Sequence, residues 1–310
     1  MKKITYQLLL CGLFLLSFIE MNAQQDPMYS QYMFNPLSIN PAYAGSRGVM
    51  NGALLYRRQW VGFNGAPNTQ VLTLNSPTKK GKVGIGLEVV ADQLGPKKTT
   101  AAYFTYAYRL QLGKGKLAFG LGAGMMNYRV NWNAVEYKDQ NDPYASLSAT
   151  NNNFPDFKAG VFYNTKKFYI GTSMTHLSEP IYAKAIDTIV KPSYLRHHGF
   201  FTVGRVFQFG SSILFSPSVI VRHVFDYQQS SIDLNLNFKF NDVLWVGVSA
   251  RSEKAVVAMI QYNITEKLKV GYSLDVSSNK LRAYQSGTHE IMLGFDLNVF
   301  KSEVLSPRYF

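Results

Sequence analysis

Alternation with a period of two residues constrains this chain more than any other feature, and residues 231–240 carry it most cleanly. Ile232, Leu234, Leu236, Phe238 and Phe240 fall on one side of an extended strand. Ser231, Asp233, Asn235, Asn237 and Lys239 fall on the other, because successive side chains point to opposite faces. The split recurs where Leu268, Val270, Tyr272, Leu274 and Val276 alternate with Lys267, Lys269, Gly271, Ser273 and Asp275. It recurs again where Ile291, Leu293, Phe295, Leu297 and Val299 alternate with Glu290, Met292, Gly294, Asp296 and Asn298. Beyond the first residues no apolar run approaches the roughly eighteen needed for a membrane-spanning helix. The chain is therefore expected to be all-β. Alternation by itself fits a soluble sandwich, with its oily faces inward, as well as a membrane barrel, with its oily face toward lipid.

Loop lengths separate these two folds. The pattern predicts strands near residues 49–57, 68–76, 82–91, 99–111, 115–130, 154–165, 167–175, 197–208, 211–226, 230–240, 242–251, 254–264, 267–277 and 288–299. Tight turns fall at 77–81, 113–115, 165–166, 209–210, 241 and 265–266. Between them come longer segments at 58–67, 92–98, 131–153, 176–196 and 278–287, with two short members around Tyr227 and Ser252. Short turns on one rim and long loops on the other describe an outer-membrane barrel with its short side in the periplasm, and an even strand number puts both chain ends there. The expected fold is a transmembrane antiparallel β-barrel of about fourteen strands. Closure is required because an open sheet edge in hydrocarbon leaves backbone groups unpaired, at several kcal/mol each.

The first residues agree with export. Lys2 and Lys3 precede an apolar stretch from Leu8 to Ile19 and then small and polar residues, the pattern of a signal peptide cleaved after Ala23. Cys11, the single cysteine, lies inside that leader, so disulfides, thiolate metal ligands and a cysteine nucleophile are not expected in the mature chain. Loss of two lysines and one glutamate takes the net charge from +13 to +12. A basic chain without an arginine-rich block or a recognition helix points to anionic lipid or an acidic periplasmic partner, with no nucleic acid. Aromatic residues at 14% suit two membrane interfaces, although composition alone would also permit a secreted sandwich. The organisation predicted is a signal peptide at 1–23 and one barrel domain at 24–310. Within it lie a periplasmic N-terminal segment at 24–47, the barrel at 48–299 and a C-terminal tail at 300–310. In the N-terminal segment Asn35-Pro36 and Asn40-Pro41 break an aromatic-rich stretch, so it should be irregular, either tucked into the periplasmic mouth or presented to a partner.

Chemistry-bearing motifs are sparse. Adjacent His197 and His198 would point to opposite faces of a strand and could not share one metal, and His223 and His289 stand alone within strands. His176 and Ser178, two apart, would share a face and could form a nucleophile pair, although Pro180 suggests that the strand is ending there. The glycines at 84, 86, 120, 122 and 124 alternate with apolar residues, so they line a crowded lumen or a curved wall and do not cradle phosphate. Lys79, Lys80, Lys82, Lys114, Lys116, Lys166, Lys167, Lys267 and Lys269 would ring the periplasmic rim, either as ordinary solvated turns or to attract an acidic protein. No catalytic residue, metal site or cofactor is expected.

Residues 25–36, Gln-Asp-Pro-Met-Tyr-Ser-Gln-Tyr-Met-Phe-Asn-Pro, and 39–48, Ile-Asn-Pro-Ala-Tyr-Ala-Gly-Ser-Arg-Gly, closely resemble the start of the PorP/SprF family. Residues 56–63, 65–70 and 286–291 and the final Pro307-Arg308-Tyr309-Phe310 are similar to its later signatures. The loops 131–153 and 176–196 look peculiar to this chain. The resemblance implies an outer-membrane component of the type IX secretion system that helps large surface proteins, including gliding adhesins, reach or remain on the cell surface. Implied partners are periplasmic and outer-membrane proteins of that system, a secreted adhesin and outer-membrane lipid. On this reading Asn35, Pro36, Asn40, Pro41, Tyr43 and Gly45 shape the N-terminal segment. Arg57, Arg58, Trp60, Gly65 and Pro67 shape the first outer loop, and His289 and Glu290 belong to the last-strand signature. For each, the alternative is a purely stabilising role. The competing function is an outer-membrane porin or hydrophobic-solute transporter.

Overall fold

The computed structural model describes residues 26–135, 137, 150–183, 193–225 and 229–299. The expected signal peptide, most of the loop at 131–153, the middle of the loop at 176–196 and the tail at 300–310 lie outside the described residues. Seventeen strands are β1 (Met50–Arg58), β2 (Asn68–Pro77), β3 (Val83–Leu94), β4 (Lys97–Leu112), β5 (Gly115–Val130), β6 (Thr150–Asn164), β7 (Phe168–Thr175), β8 (Ile181–Ala183), β9 (Ser193–Tyr194), β10 (His198–Arg205), β11 (Phe207–Phe209), β12 (Ile213–Val224), β13 (Gln229–Phe240), β14 (Leu244–Arg251), β15 (Ala255–Asn263), β16 (Leu268–Ser277) and β17 (Thr288–Leu297).

Fourteen of these close a ring. Each long strand pairs antiparallel with its sequence neighbours, β1 pairs with β17, and β10 bridges β7 to β12 across the short hairpin β8–β9. β11 continues the line of β10 past a break at Val206, whose N–H donates to the Lys167 carbonyl. One expected strand, near 197–208, is thus two pieces of a single stave. Closure gives each of the fourteen ring strands a partner on both sides among the described residues, which is what allows a sheet to sit in hydrocarbon.

The wall is inverted relative to a soluble protein. On β13, Asp233 and Asn235 are 0% and 1% exposed, whereas Leu234 and Leu236 are 54% and 46% exposed. The same polarity runs along β16 and β17, where Ser273, Asp275 and Glu290 are buried and Tyr272, Ile291 and Leu293 face outward. Leaving such an apolar surface in water costs about 25 cal/mol per Å². Lipid removes that cost, and a sandwich would have shown the opposite sidedness.

The interior is filled by the chain's own N-terminal segment. Pro36 and Pro41 each open a short 3-10 turn, Pro36–Ser38 and Pro41–Tyr43, where a missing N–H and a fixed φ are an advantage. These turns compact residues 26–49 into a strap that packs Leu37, Ala42, Tyr43 and Ala44 against Ala107, Ala118 and Phe162. Tyr29, Tyr32 and Ile39 pack against Leu55, Val71 and Ile220. The strap reaches further than the short-turn mouth expected for it. Gly45 lies by Asn75 and Pro77 at that rim, while Asp26 bonds His176 beside the long-loop rim.

Candidate functional site: the filled lumen

Three anchorages hold the strap, which acts as a plug. Near the long-loop end, Arg57 on β1 faces Glu290 on β17 in register. Arg57 Nη1 donates to Glu290 Oε2 (3.0 Å) and to Ser30 Oγ (2.8 Å), and Nη2 donates to Asp275 Oδ2 (2.8 Å). The backbone N–H groups of Ser30 and Gln31 donate to the two Glu290 oxygens at 2.9 and 2.8 Å. Plug donors thus join an arginine set between two carboxylates, and buried charges are tolerated when they are paired and hydrogen-bonded in this way. The cluster extends along the wall, because Arg251 Nη1 meets Asp275 at 3.4 Å and Arg251 Nε and Arg222 meet Asp233 at 3.2 and 3.0 Å.

The second anchorage is Asp26. His176 donates from Nδ1 to Asp156 (2.7 Å) and from Nε2 to Asp26 (2.8 Å), and His198 lies 3.4 Å from Asp26. Only an imidazolium can donate from both nitrogens. Burial alone would lower the His176 pKa, but the charge of Asp26 and the bond to Asp156 outweigh it and raise it to about 9. Burial likewise works against the Asp26 carboxylate, and the two histidines overcome it, holding its pKa well below the usual range.

The third anchorage is backbone fit near the short-turn rim. Asn40 caps its turn by accepting from Ala42 N (2.9 Å) and donates Nδ2 to the carbonyls of Val161 and Thr172 (3.1 and 3.3 Å). Arg109 donates to the Ala44 and Gly45 carbonyls, and Gly45 N donates to Asn75 Oδ1 (2.9 Å). Gly45 has φ +67, which suits glycine. Glycine on the wall makes this approach possible. A Cβ at Gly120 would run into the backbone of Pro41 and Ala42, and one at Gly84 into the Ala44 carbonyl.

The expected site residues therefore divide. Asn35 (accepting from Thr73 Oγ1, 2.7 Å), Pro36, Asn40, Pro41, Tyr43 and Gly45 all belong to the plug, with Tyr43 edge-on to Phe162. Arg57 does not shape the outer loop; it points inward and joins Glu290, opposite which β1 places it in register, while Arg58 is exposed. Trp60, Gly65 and Pro67 do form that loop. Trp60 N donates to Thr288 Oγ1, the Gly65 carbonyl accepts from Gly95, and the Pro67 carbonyl accepts from Gln59. His289 faces outward and bonds Tyr272 Oη at 2.6 Å.

The suggested His176/Ser178 pair does not form. A φ of +59 at His176 ends the strand, both ring nitrogens are taken by carboxylates, and Ser178 Oγ donates to the Pro155 carbonyl (2.9 Å). Of the expected lysine ring, Lys269 turns into the lumen to Asp296 (2.9 Å), while Lys79, Lys80, Lys82, Lys114, Lys166, Lys167 and Lys267 are exposed. Sequence reasoning put Asp233 and Asp275 on wet faces without giving them a role, and passed over Arg251, Arg222, Arg109 and Asp156. The available signal was charge of both signs on the wet face of strands that enclose a lumen.

Among solved structures, the barrel is similar to the Ralstonia pickettii toluene transporter TbuX, with TM-score 0.55 and 10% identity over 84% of this chain and 92% of that one. It is also similar to the CymD monoaromatic hydrocarbon channel, with TM-score 0.50 and 11% identity over 88% and 94%. At such identity the likeness concerns the fold alone. No curated protein matches the sequence. The sequence profile of the family described as type IX secretion system membrane protein PorP/SprF matches residues 21–295, which take in both the plug and nearly all of the barrel that encloses it. The chain thus belongs to the PorP/SprF family, a type IX secretion system component of the cell outer membrane.

Proposed function

We propose that this protein supports export or surface attachment of a large cell-surface protein, such as a gliding adhesin, by acting as an interaction component of the secretion system. The filled lumen is the observation that carries this reading. A barrel occupied by its own chain, with buried ion pairs completed by plug atoms, is suited to presenting its rims and outer wall to partners and poorly suited to conducting solutes. Periplasmic partners from the same system would meet the short-turn rim with its exposed lysines, lipid would cover the wall, and the secreted protein would engage the long-loop side. The plug residues and the first outer loop are the candidate contact-shaping elements.

Deletion of residues 24–47 tests this in cells. Surface display of the partner adhesin should be lost while the barrel remains inserted, as judged by heat-dependent mobility on gels; normal display from the deleted protein overturns the role. One observation favours a solute transporter as the second reading, namely an aromatic-lined cavity of about 540 Å³ between plug and wall. Planar bilayers separate the two. Steady, salt-dependent current through the intact protein supports transport, and a silent barrel supports the interaction role.

A further inference from the structure

Two cations face each other on the lipid side of the wall. Lys98 on β4 and Arg129 on β5 are cross-strand partners in register, and both lie on the exposed face of their strands. Side chains so placed start about 5 Å apart at Cβ, and like charges directly opposite destabilise a sheet. No carboxylate relieves them. Among the described residues neither makes an ion pair. The neighbouring strand carboxylates, Glu88 and Asp92 on β3 and Asp156 on β6, face the lumen and meet Lys158, Thr69 and His176 there.

Depth in the membrane says what meets this pair. From Ala102 to Leu112 the outward residues of β4 are alanine, phenylalanine, two tyrosines and two leucines. At about 3.3 Å per residue and a tilt of about 40°, that stretch spans roughly 25 Å, the height of a barrel's apolar band. Lys98 and Arg129 stand just beyond its edge, past the pair Thr100 and Asn127, at the level of the headgroups. This is the long-loop rim, reached by β5 at Val130, so the headgroups are those of the outer leaflet. Beside the cations, Asn127 Nδ2 donates to Oδ1 of both Asn151 and Asn153, at 2.7 and 2.8 Å. That leaves the amide N–H groups of Asn151 and Asn153 to donate outward. Below them Met125 and Phe104 are 55% and 57% exposed. The patch thus asks for a ligand with an anion, polar acceptors next to it and hydrocarbon beneath. A phosphate carries up to two charges and three acceptor oxygens, enough to serve both cations at once. We propose that Lys98 and Arg129 clamp the phosphate of an outer-leaflet glycolipid, with Arg129 as the fork. Asn151 and Asn153 donate to its sugar oxygens, and its acyl chains lie along Met125 and Phe104. The site goes beyond the export role and does not depend on which protein is displayed.

Full-length protein purified in mild detergent and titrated with monophosphoryl lipid A, with binding read by native mass spectrometry, tests the site. Lys98→Gln/Arg129→Gln should bind the lipid about tenfold more weakly than the parent, as loss of charged hydrogen bonds predicts. The parent should bind the dephosphorylated lipid equally weakly. Lys114→Gln/Lys166→Gln removes the same charge from exposed short-turn lysines and should bind like the parent. Equal binding by the parent and Lys98→Gln/Arg129→Gln overturns the proposal, and so does an equal loss in Lys114→Gln/Lys166→Gln. Amine labelling of Lys98 gives a second measurement, since the residue should react in lipid-free detergent and be protected by the lipid. Protection without lipid, as an overlying protein segment would give, overturns the assignment. Equal protection by inorganic phosphate at the same concentration does so too.

Discussion

Two alanines on the inner wall should displace the plug without breaking the barrel. At Gly84 and Gly120 an added Cβ meets plug backbone, which cannot swing aside as the end of a flexible side chain can. The strap would have to retreat by on the order of 1 Å at residues 41–44, and overpacking of this kind costs about 1–3 kcal/mol per site. The retreat also strains the bonds from Arg109 to the Ala44 and Gly45 carbonyls, of the charged kind worth about 1.5–3 kcal/mol. Strand pairing on either side is untouched, so the wall keeps its ladder. With tenfold per 1.4 kcal/mol, an overpacking penalty of about 2–6 kcal/mol raises the displaced population by roughly 30-fold to 10⁴-fold. Gly122→Ala is the matched control. It lies on the same strand and face as Gly120, and the atoms nearest its Cβ would be wall side chains, Lys158 Cβ at 3.3 Å and Thr105 Oγ1 at 3.6 Å. In planar bilayers Gly84→Ala/Gly120→Ala should show frequent openings, and Ser46→Cys in that background should label rapidly from the short-turn side. A double variant as silent and protected as the Gly122→Ala control would refute the fit argument, and so would openings in the control.

Removing one partner from the Arg57 cluster should be costly. Arg57→Ala leaves Glu290 and Asp275 facing each other in the lumen, a loss of about 3–5 kcal/mol, seen as a lowered unfolding temperature of the detergent-solubilised barrel; an unchanged temperature would show that water replaces the guanidinium. The Asp26 anchorage should depend on pH. The His176 pKa is raised in the fold, so its contribution is complete below the unfolded value near 6.5 and fades as pH rises through about 9. Protease access to residues 26–30 should increase over that window and lose its pH dependence in His176→Asn; a flat profile in the parent protein would contradict the assignment. Ser178→Ala should leave lipid hydrolysis by outer-membrane preparations unchanged, because its hydroxyl donates to the Pro155 carbonyl and both ring nitrogens of His176 are taken by carboxylates; a measurable drop would reopen the enzyme reading.

The wall was readable residue by residue. Leu234 out and Asn235 in, Ile291 out and Glu290 in, follow from alternation, and the glycines on β3 and β5 could be read as lining a crowded lumen. That the segment at 24–47 tucks into the barrel was one of two expectations, but how far it reaches and which wall groups it bonds were not readable. Ser30 and Asp275 bond across 245 positions of sequence, a separation to which local periodicity is blind. Arg57 and Arg58 look like a rim pair in sequence, and only the register opposite Glu290 shows which one enters the lumen. The His176/Ser178 idea assumed extended backbone, and a single left-handed residue removed the shared face.

The sequence by itself determined an all-β chain with one greasy and one wet face per strand. Hydrocarbon then forces such strands to close, because every backbone polar group must find a partner inside the sheet. Only the tertiary structure decided between a tucked and a presented N-terminal segment, how deeply it fills the lumen, and through which buried ions. Closing a ring brings the first and last strands together, and pairings between remote charges depend on distances that exist only after closure.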